Sequence, residues 1–144
     1  MHPGQAYVQT AFPGHPLMQS LTKEDYHRIA MNLLDERSQL GFPPAVRVIM
    51  FRADAFKLEQ AIAKLEQIQQ QLNSVIAQAG VVQCMGPMPA LMPRRTGRYR
   101  AQLCLMSRDY RQLRTVLSKA MPGIKQIASS HAVKWVIDVD AYDL

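Results

Sequence analysis

The sequence predicts an α+β domain: a four-stranded mixed sheet with helices on one face, ordered strand–helix–strand–strand–helix–strand after an extended arm and a first helix. Two observations carry this reading. Beyond residue 44, two segments repeat apolar residues at helical spacing. Four shorter ones alternate with period two or run as β-branched stretches, with Gly and Pro between them. The chain has 144 residues, 48% hydrophobic and 19% charged, which suits one globular core and excludes a disordered or fibrous chain.

Residues 1–21 hold three prolines and two glycines around the short strand-like run Ala6–Thr10. They read as an extended arm, the remnant of a preceding unit in a longer parent chain, ahead of a binding domain over 22–144. Thr22 is expected to start a helix, with Glu24 and Asp25 in its first turn, where the dipole favours negative charge. Its apolar stripe is Tyr26, Ile29, Ala30, Leu33, Leu34 and Leu40; Gly41 stops it and Pro43-Pro44 prevents continuation.

Residues 45–53 (AVRVIMFRA) read as a largely buried strand. The clearest helix is 55–79, where Leu58, Ile62, Leu65, Ile68, Leu72, Val75, Ile76 and Ala79 recur at three- and four-residue intervals and Gly80 supplies a cap. Val81–Met85 is a short strand, and GPMPALMP (Gly86–Pro93) a proline-rich connector that cannot be helical. Residues 98–106 alternate, with Tyr99, Ala101, Leu103 and Leu105 on one face and Arg98, Arg100, Gln102 and Cys104 on the other. Ser107 is positioned to cap a helix from Asp109 to Met121, ended by Pro122-Gly123. A final strand, 132–139, sets Val133, Trp135, Ile137 and Val139 against Lys134, Val136, Asp138 and Asp140. With both helices on one face of the sheet, the other is free to bind or to pack on a neighbour.

Several function classes find no support. No Walker, dinucleotide-binding or zincin motif is present. The histidines His2, His15, His27 and His131 are scattered without partners at ligand spacing, so no metal site is expected. Cys84 and Cys104 are too few for a disulfide framework and sit in predicted strands, where they pack as small apolar groups. No apolar run is long enough to span a membrane and no export signal opens the chain, which points to a cytoplasmic protein without membrane contact. Asp138 and Asp140 share a strand face about 6.6 Å apart. That spacing suits a divalent cation, but pairing with the arginine-rich segment is the favoured role because no third ligand is near. Nothing supports a catalytic site.

The charge pattern is the informative feature. The net charge is +6, yet residues 1–93 carry seven basic and seven acidic side chains and sum to zero. Residues 94–134 carry ten basic side chains against Asp109 alone, and seven of the ten are arginine. Arginine binds phosphate through a planar fork, and a cluster attracts polyanions. The R-R-T-G-R-Y-R run, Arg94 to Arg100, is the strongest local signal. Gly97 permits a tight turn, after which Arg98 and Arg100 project from one face about 6.6 Å apart, close to the spacing of successive phosphates. Arg94, Arg95, Arg98, Arg100, Arg108, Arg111 and Lys134 are therefore the candidate DNA-binding residues, gripping phosphates without reading bases. Two alternatives stand beside this: a basic face that serves solubility, and docking of Arg98 and Arg100 against an acidic neighbour.

LDERSQLGFPP (Leu34–Pro44), GPMPALMPRRTGRYRAQLCL (Gly86–Leu105) and VKWVIDVD (Val133–Asp140) together resemble the C-terminal domain of bacterial primosomal protein N′, the PriA family of replication-restart DNA helicases. The arm resembles the segment by which that family's second helicase lobe runs into this domain. The resemblance implies a fold of the ribosomal S10-like type and a non-catalytic module. Cofactors are expected to be none in this chain, with ATP, Mg and Zn bound by domains upstream. The implied partners are forked or single-stranded DNA, the acidic, aromatic-ended tail of single-stranded DNA-binding protein, and other primosome proteins at the nucleoid. The tail site maps to Tyr110 and Arg114, where relatives carry an arginine and a glutamine. An intramolecular packing and protein-docking domain with little DNA affinity of its own, and a free-standing RNA-binding protein, remain as rival readings.

Overall fold

The computed structural model describes residues 4, 6–23, 25–79 and 81–141. Its elements are α1 (Pro16–Lys23), α2 (Tyr26–Leu40), β1 (Arg47–Ala55), α3 (Leu58–Ala79), β2 (Gln83–Arg95), β3 (Arg98–Ser107), α4 (Tyr110–Lys125) and β4 (Val133–Val139). The fold is α+β, and the four strands form one sheet in the order β2-β3-β1-β4. Every neighbouring pair is antiparallel, which corrects the expected mixed sheet. Each helical crossover returns the chain two places along the sheet, so the parallel strands are separated by an antiparallel one.

The register assigns the faces. Ile49, Phe51 and Ala53 of β1 sit beside Leu105, Leu103 and Ala101 of β3, and beside Val139, Ile137 and Trp135 of β4. With Leu65, Ile68 and Leu72 of α3 and Leu113, Val116 and Ile124 of α4, these β1 and β3 residues build the main core. Phe51 and the three α3 side chains are wholly inaccessible. Each is worth roughly 1.5–3 kcal/mol of burial. A smaller cluster, Val46, Val48, Met50, Cys104 and Ala141, lies on the opposite, open face, so β1 is buried on both sides over its first half.

Local chemistry places the boundaries. Asp25, outside α2, caps it by accepting from the Arg28 amide at 2.9 Å. Gly41 takes the left-handed conformation at φ 70°, with its own N–H and that of Phe42 closing onto the carbonyls of Ser38 and Arg37. The single helix expected from Thr22 is instead two, and α1 begins inside the segment read as an extended arm. The stripe of α2 is also less buried than its periodicity implies. Ile29 is covered, but Tyr26 is 86% and Leu40 63% exposed, because α1 is the main neighbour of α2 and the sheet lies elsewhere.

Two further boundaries differ from expectation. The proline-rich connector belongs to β2, a strand of 13 residues with register shifts between Met85 and Met88 and between Pro89 and Arg94. Prolines are tolerated there because β2 is an edge strand and the shifts absorb its missing donors. Pro122-Gly123 falls inside α4, which continues to Lys125 because buried Ile124 holds its last turn against the core. The expected cap at Gly80, the first-turn Glu24, His2 and Asp143 lie outside the described residues. Among the described residues, no helix is long and apolar enough to cross a membrane, and no group of three His, Cys, Asp or Glu is arranged to hold a metal ion.

Candidate nucleic-acid and partner interface

The arginine-rich run turns at Thr96 and Gly97, whose φ values of 47° and 77° form the two left-handed corners of a tight hairpin between β2 and β3. Arg95 pairs in register with Arg98 and Arg94 with Tyr99. The Arg94 guanidinium lies 5.4 Å from the centre of the Tyr99 ring, a cation–π contact that keeps the charge at the surface. Arg95 projects into solvent beside it.

Arg98 and Arg100 share the open face as the alternation predicts, but neither fork is free. Arg98 Nη2 donates to the carbonyl oxygens of Asp54 and Ala132, each at 2.9 Å, and Nη1 reaches that of His131 at 3.5 Å. Its guanidinium stacks 4.5 Å above the Phe56 ring. Arg100 Nε lies 3.4 Å from Asp54 Oδ1, a pairing in which the arginine is the more buried partner. The contact is Coulombic, since that oxygen makes no hydrogen bond of acceptable angle. These two arginines join the ends of β1, β3 and β4.

The terminal aspartates are paired differently from expectation. Asp138 meets Arg52 at 3.4 Å and Asp140 meets Arg47 at 3.8 Å. Both partners come from β1 rather than from the arginine-rich segment, because β1 is the strand beside β4.

The other candidate cations fall into two groups. Arg94, Arg95 and Lys134 are exposed at the hairpin end; Lys134 pairs in register with Asp54, the residue also opposite Arg100. Arg108, Arg111 and Arg114 are exposed around the start of α4. The ten residues of β3 separate the ends, a span of roughly 30 Å at strand rise. One continuous cationic strip, as the sequence suggests, is therefore two patches. At the second, Asp109 caps α4 by accepting from the Arg111 amide at 2.8 Å and the Gln112 amide at 3.4 Å. Tyr110, 46% exposed, and Arg114 follow one helical turn apart on one side of α4.

The thiols fit packing rather than chemistry. Burial is the main cause that raises both, and it is partly offset at Cys84 by a hydrogen bond from Gln69. At Cys104, burial and the nearby Cys84 push the value up to about 11, so both are neutral thiols near pH 7.

The open face also holds a feature the sequence reading missed. Between β2, β3, β1 and the end of α2 runs an apolar groove of about 740 Å³, with Met50, Met85, Met88 and Met106 in its walls. The signal was there: nine methionines in the chain, several at outward positions of strands. Period two alone does not show that outward residues on three strands meet.

The family model described as the primosomal protein N C-terminal domain matches residues 38–142. The chain belongs to that family. It is 32% identical over 143 residues to the replication restart protein PriA of Haemophilus influenzae, and 31% identical over 141 residues to that of Synechocystis. Those alignments cover 98% and 96% of this chain but 19% and 16% of the relatives, so the chain spans under a fifth of their length. Among solved structures, the designed protein Foldit4 overlays 67% of the chain with a TM-score of 0.45 at 10% identity.

Proposed function

We propose that this primosomal N C-terminal domain is a non-catalytic DNA-binding module of a replication-restart helicase. It grips the phosphates of forked or single-stranded DNA through Arg94, Arg95 and Lys134 at the hairpin end, with Arg108 and Arg111 as a second contact. The observation that carries the reading is that these exposed cations make no ion pair among the described residues, whereas Arg98 and Arg100 are committed to the fold. Arginines held above a tight turn suit backbone contact, which positions DNA without reading its sequence. Tyr110 and Arg114 offer an aromatic wall and a cation to the tail of single-stranded DNA-binding protein, with Arg111 between them in sequence. Unwinding, with its ATP, Mg and Zn requirements, would belong to the rest of such a helicase.

The test is fluorescence anisotropy of a forked oligonucleotide with the 144-residue chain across a salt series. Affinity is expected to fall steeply with salt, and an Arg94→Ala, Arg95→Ala, Lys134→Ala variant to bind weakly with a shallower slope. Unchanged affinity in that variant rejects the assignment. The rival reading, a packing domain for the rest of the protein, is favoured by the exposed apolar stripe of α2. It predicts no measurable DNA binding by the isolated chain.

A further inference from the structure

We infer that the apolar groove on the open sheet face is a docking site for an amphipathic helix flanked by acidic residues, separate from the hairpin-end cations assigned to DNA and sharing Arg108 with the second DNA contact. The groove is exposed apolar surface: Leu91 at one side is 81%, Met85 48% and Phe42 48% accessible. Contiguous apolar surface of this kind marks an interaction site, and methionine walls adapt to an inserted side chain better than branched ones.

The edge beside the groove decides the form of the occupant. β2 carries Pro87, Pro89 and Pro93, none of which has an N–H to offer. Three prolines without an N–H make β2 a poor template for a partner strand. A helix satisfies its own backbone and needs only pockets for side chains at i, i+3 or i+4, and i+7.

Charge decides the flank. Among the described residues, no carboxylate lines the groove and its single charged lining residue is Arg108, which is exposed and makes no ion pair with them. The carboxylate of the adjacent Asp109 is turned onto the first amides of α4, accepting from those of Arg111 and Gln112. Arg111, exposed in the first turn of α4, adds a second positive charge three residues on from Arg108. Acidic residues beside the apolar stripe therefore meet complementary charge, and basic ones meet repulsion.

The experiment uses two labelled helical peptides of roughly 18 residues with the same Leu/Phe stripe, one flanked by Glu and the other by Lys. Each is titrated into the 144-residue chain by anisotropy. The Glu peptide is expected to bind at least about tenfold more tightly than the Lys peptide. Leu91→Glu, at an exposed position that leaves folding intact, and Met88→Glu are each expected to weaken it by about tenfold or more, while Met88→Leu retains binding. Arg108→Glu is expected to abolish the preference for Glu over Lys. Tyr110→Ala with Arg114→Ala is expected to leave binding unchanged. The proposal is overturned by no binding of the Glu peptide, equal binding of both peptides, insensitivity to Leu91→Glu, or sedimentation showing a second copy of the chain seated in the groove.

Discussion

Arg98 Nη2 sits 2.9 Å from the carbonyl oxygen of Asp54, a residue 44 positions earlier in the chain. The same nitrogen holds the carbonyl of Ala132 at 2.9 Å, so one guanidinium joins the end of β1 to the approach to β4. These are charge-assisted bonds, partly shielded from water, and their loss leaves two carbonyls without that donor. Arg98→Ala is expected to destabilise the domain by about 1–3 kcal/mol in urea unfolding. Arg98→Lys should recover little, because a point charge cannot reproduce the fork. Arg95→Ala, exposed at the same hairpin, should change stability by no more than about 0.5 kcal/mol. Equal stability losses at the two positions would contradict this division of labour.

The two cationic patches should act independently on DNA. Lying roughly 30 Å apart at strand rise, the hairpin cations and the pair Arg108 and Arg111 share no partner. Their alanine variants should reduce binding free energy additively within about 0.5 kcal/mol. Each phosphate contact removed should lower the salt slope by about 0.7–0.9. Anisotropy across a salt series checks both, and strong non-additivity would mean that one DNA segment bridges the patches.

The thiols give a pH dependence of defined sign. Cys104 is raised from 9.0 to about 11 in the folded chain, chiefly by burial and further by Cys84. The unfolded chain releases this proton first, so the contribution of Cys104 to stability is present below its ordinary value and is lost as pH climbs from 9.0 towards about 11. Urea unfolding of Cys104→Ala should show a shallower alkaline decline than the parent. Iodoacetamide at pH 8 should alkylate the folded chain far more slowly than the chain in urea; equal rates would show that the thiols are exposed.

Among the described glycines, Gly86 combines a positive φ with a backbone obstacle to any side chain. Its φ is +101°, and an added Cβ would lie 2.9 Å from the Gln102 carbonyl oxygen across the β2–β3 pair. Gln69 of α3 also donates to the Gly86 carbonyl at 2.8 Å, so the segment is held from the helix side. Gly86→Ala combines a left-handed conformation with a backbone clash and should cost about 1–3 kcal/mol, read as a lowered unfolding midpoint. Gly97→Ala has φ +77° but open space around it, so it should cost less.

The element order from β1 to β4, the buried faces of α3 and β3, and membership of the primosomal N C-terminal family were all legible in the residues. Leu65, Ile68 and Leu72 recur at helical spacing and are wholly buried; the residues of β3 alternate and their faces divide accordingly. Stops were less legible where burial outweighed local propensity. Pro122-Gly123 marks an end on propensity alone, yet Ile124 draws the helix onward into the core. The connector rich in proline became a strand because an edge tolerates missing donors.

What the amino-acid order determined by itself is periodicity, turn chemistry and the concentration of arginine after residue 93, all properties of near neighbours along the chain. Only the tertiary structure decided which of those arginines face water. Alternation set Arg98 and Arg100 on one side of β3, but antiparallel pairing with β1 brought Asp54 beneath both of them. The same pairing supplied Arg47 and Arg52 to the terminal aspartates. An ion's role depends on its nearest opposite charge, and in a sheet that neighbour comes from register between strands distant in sequence.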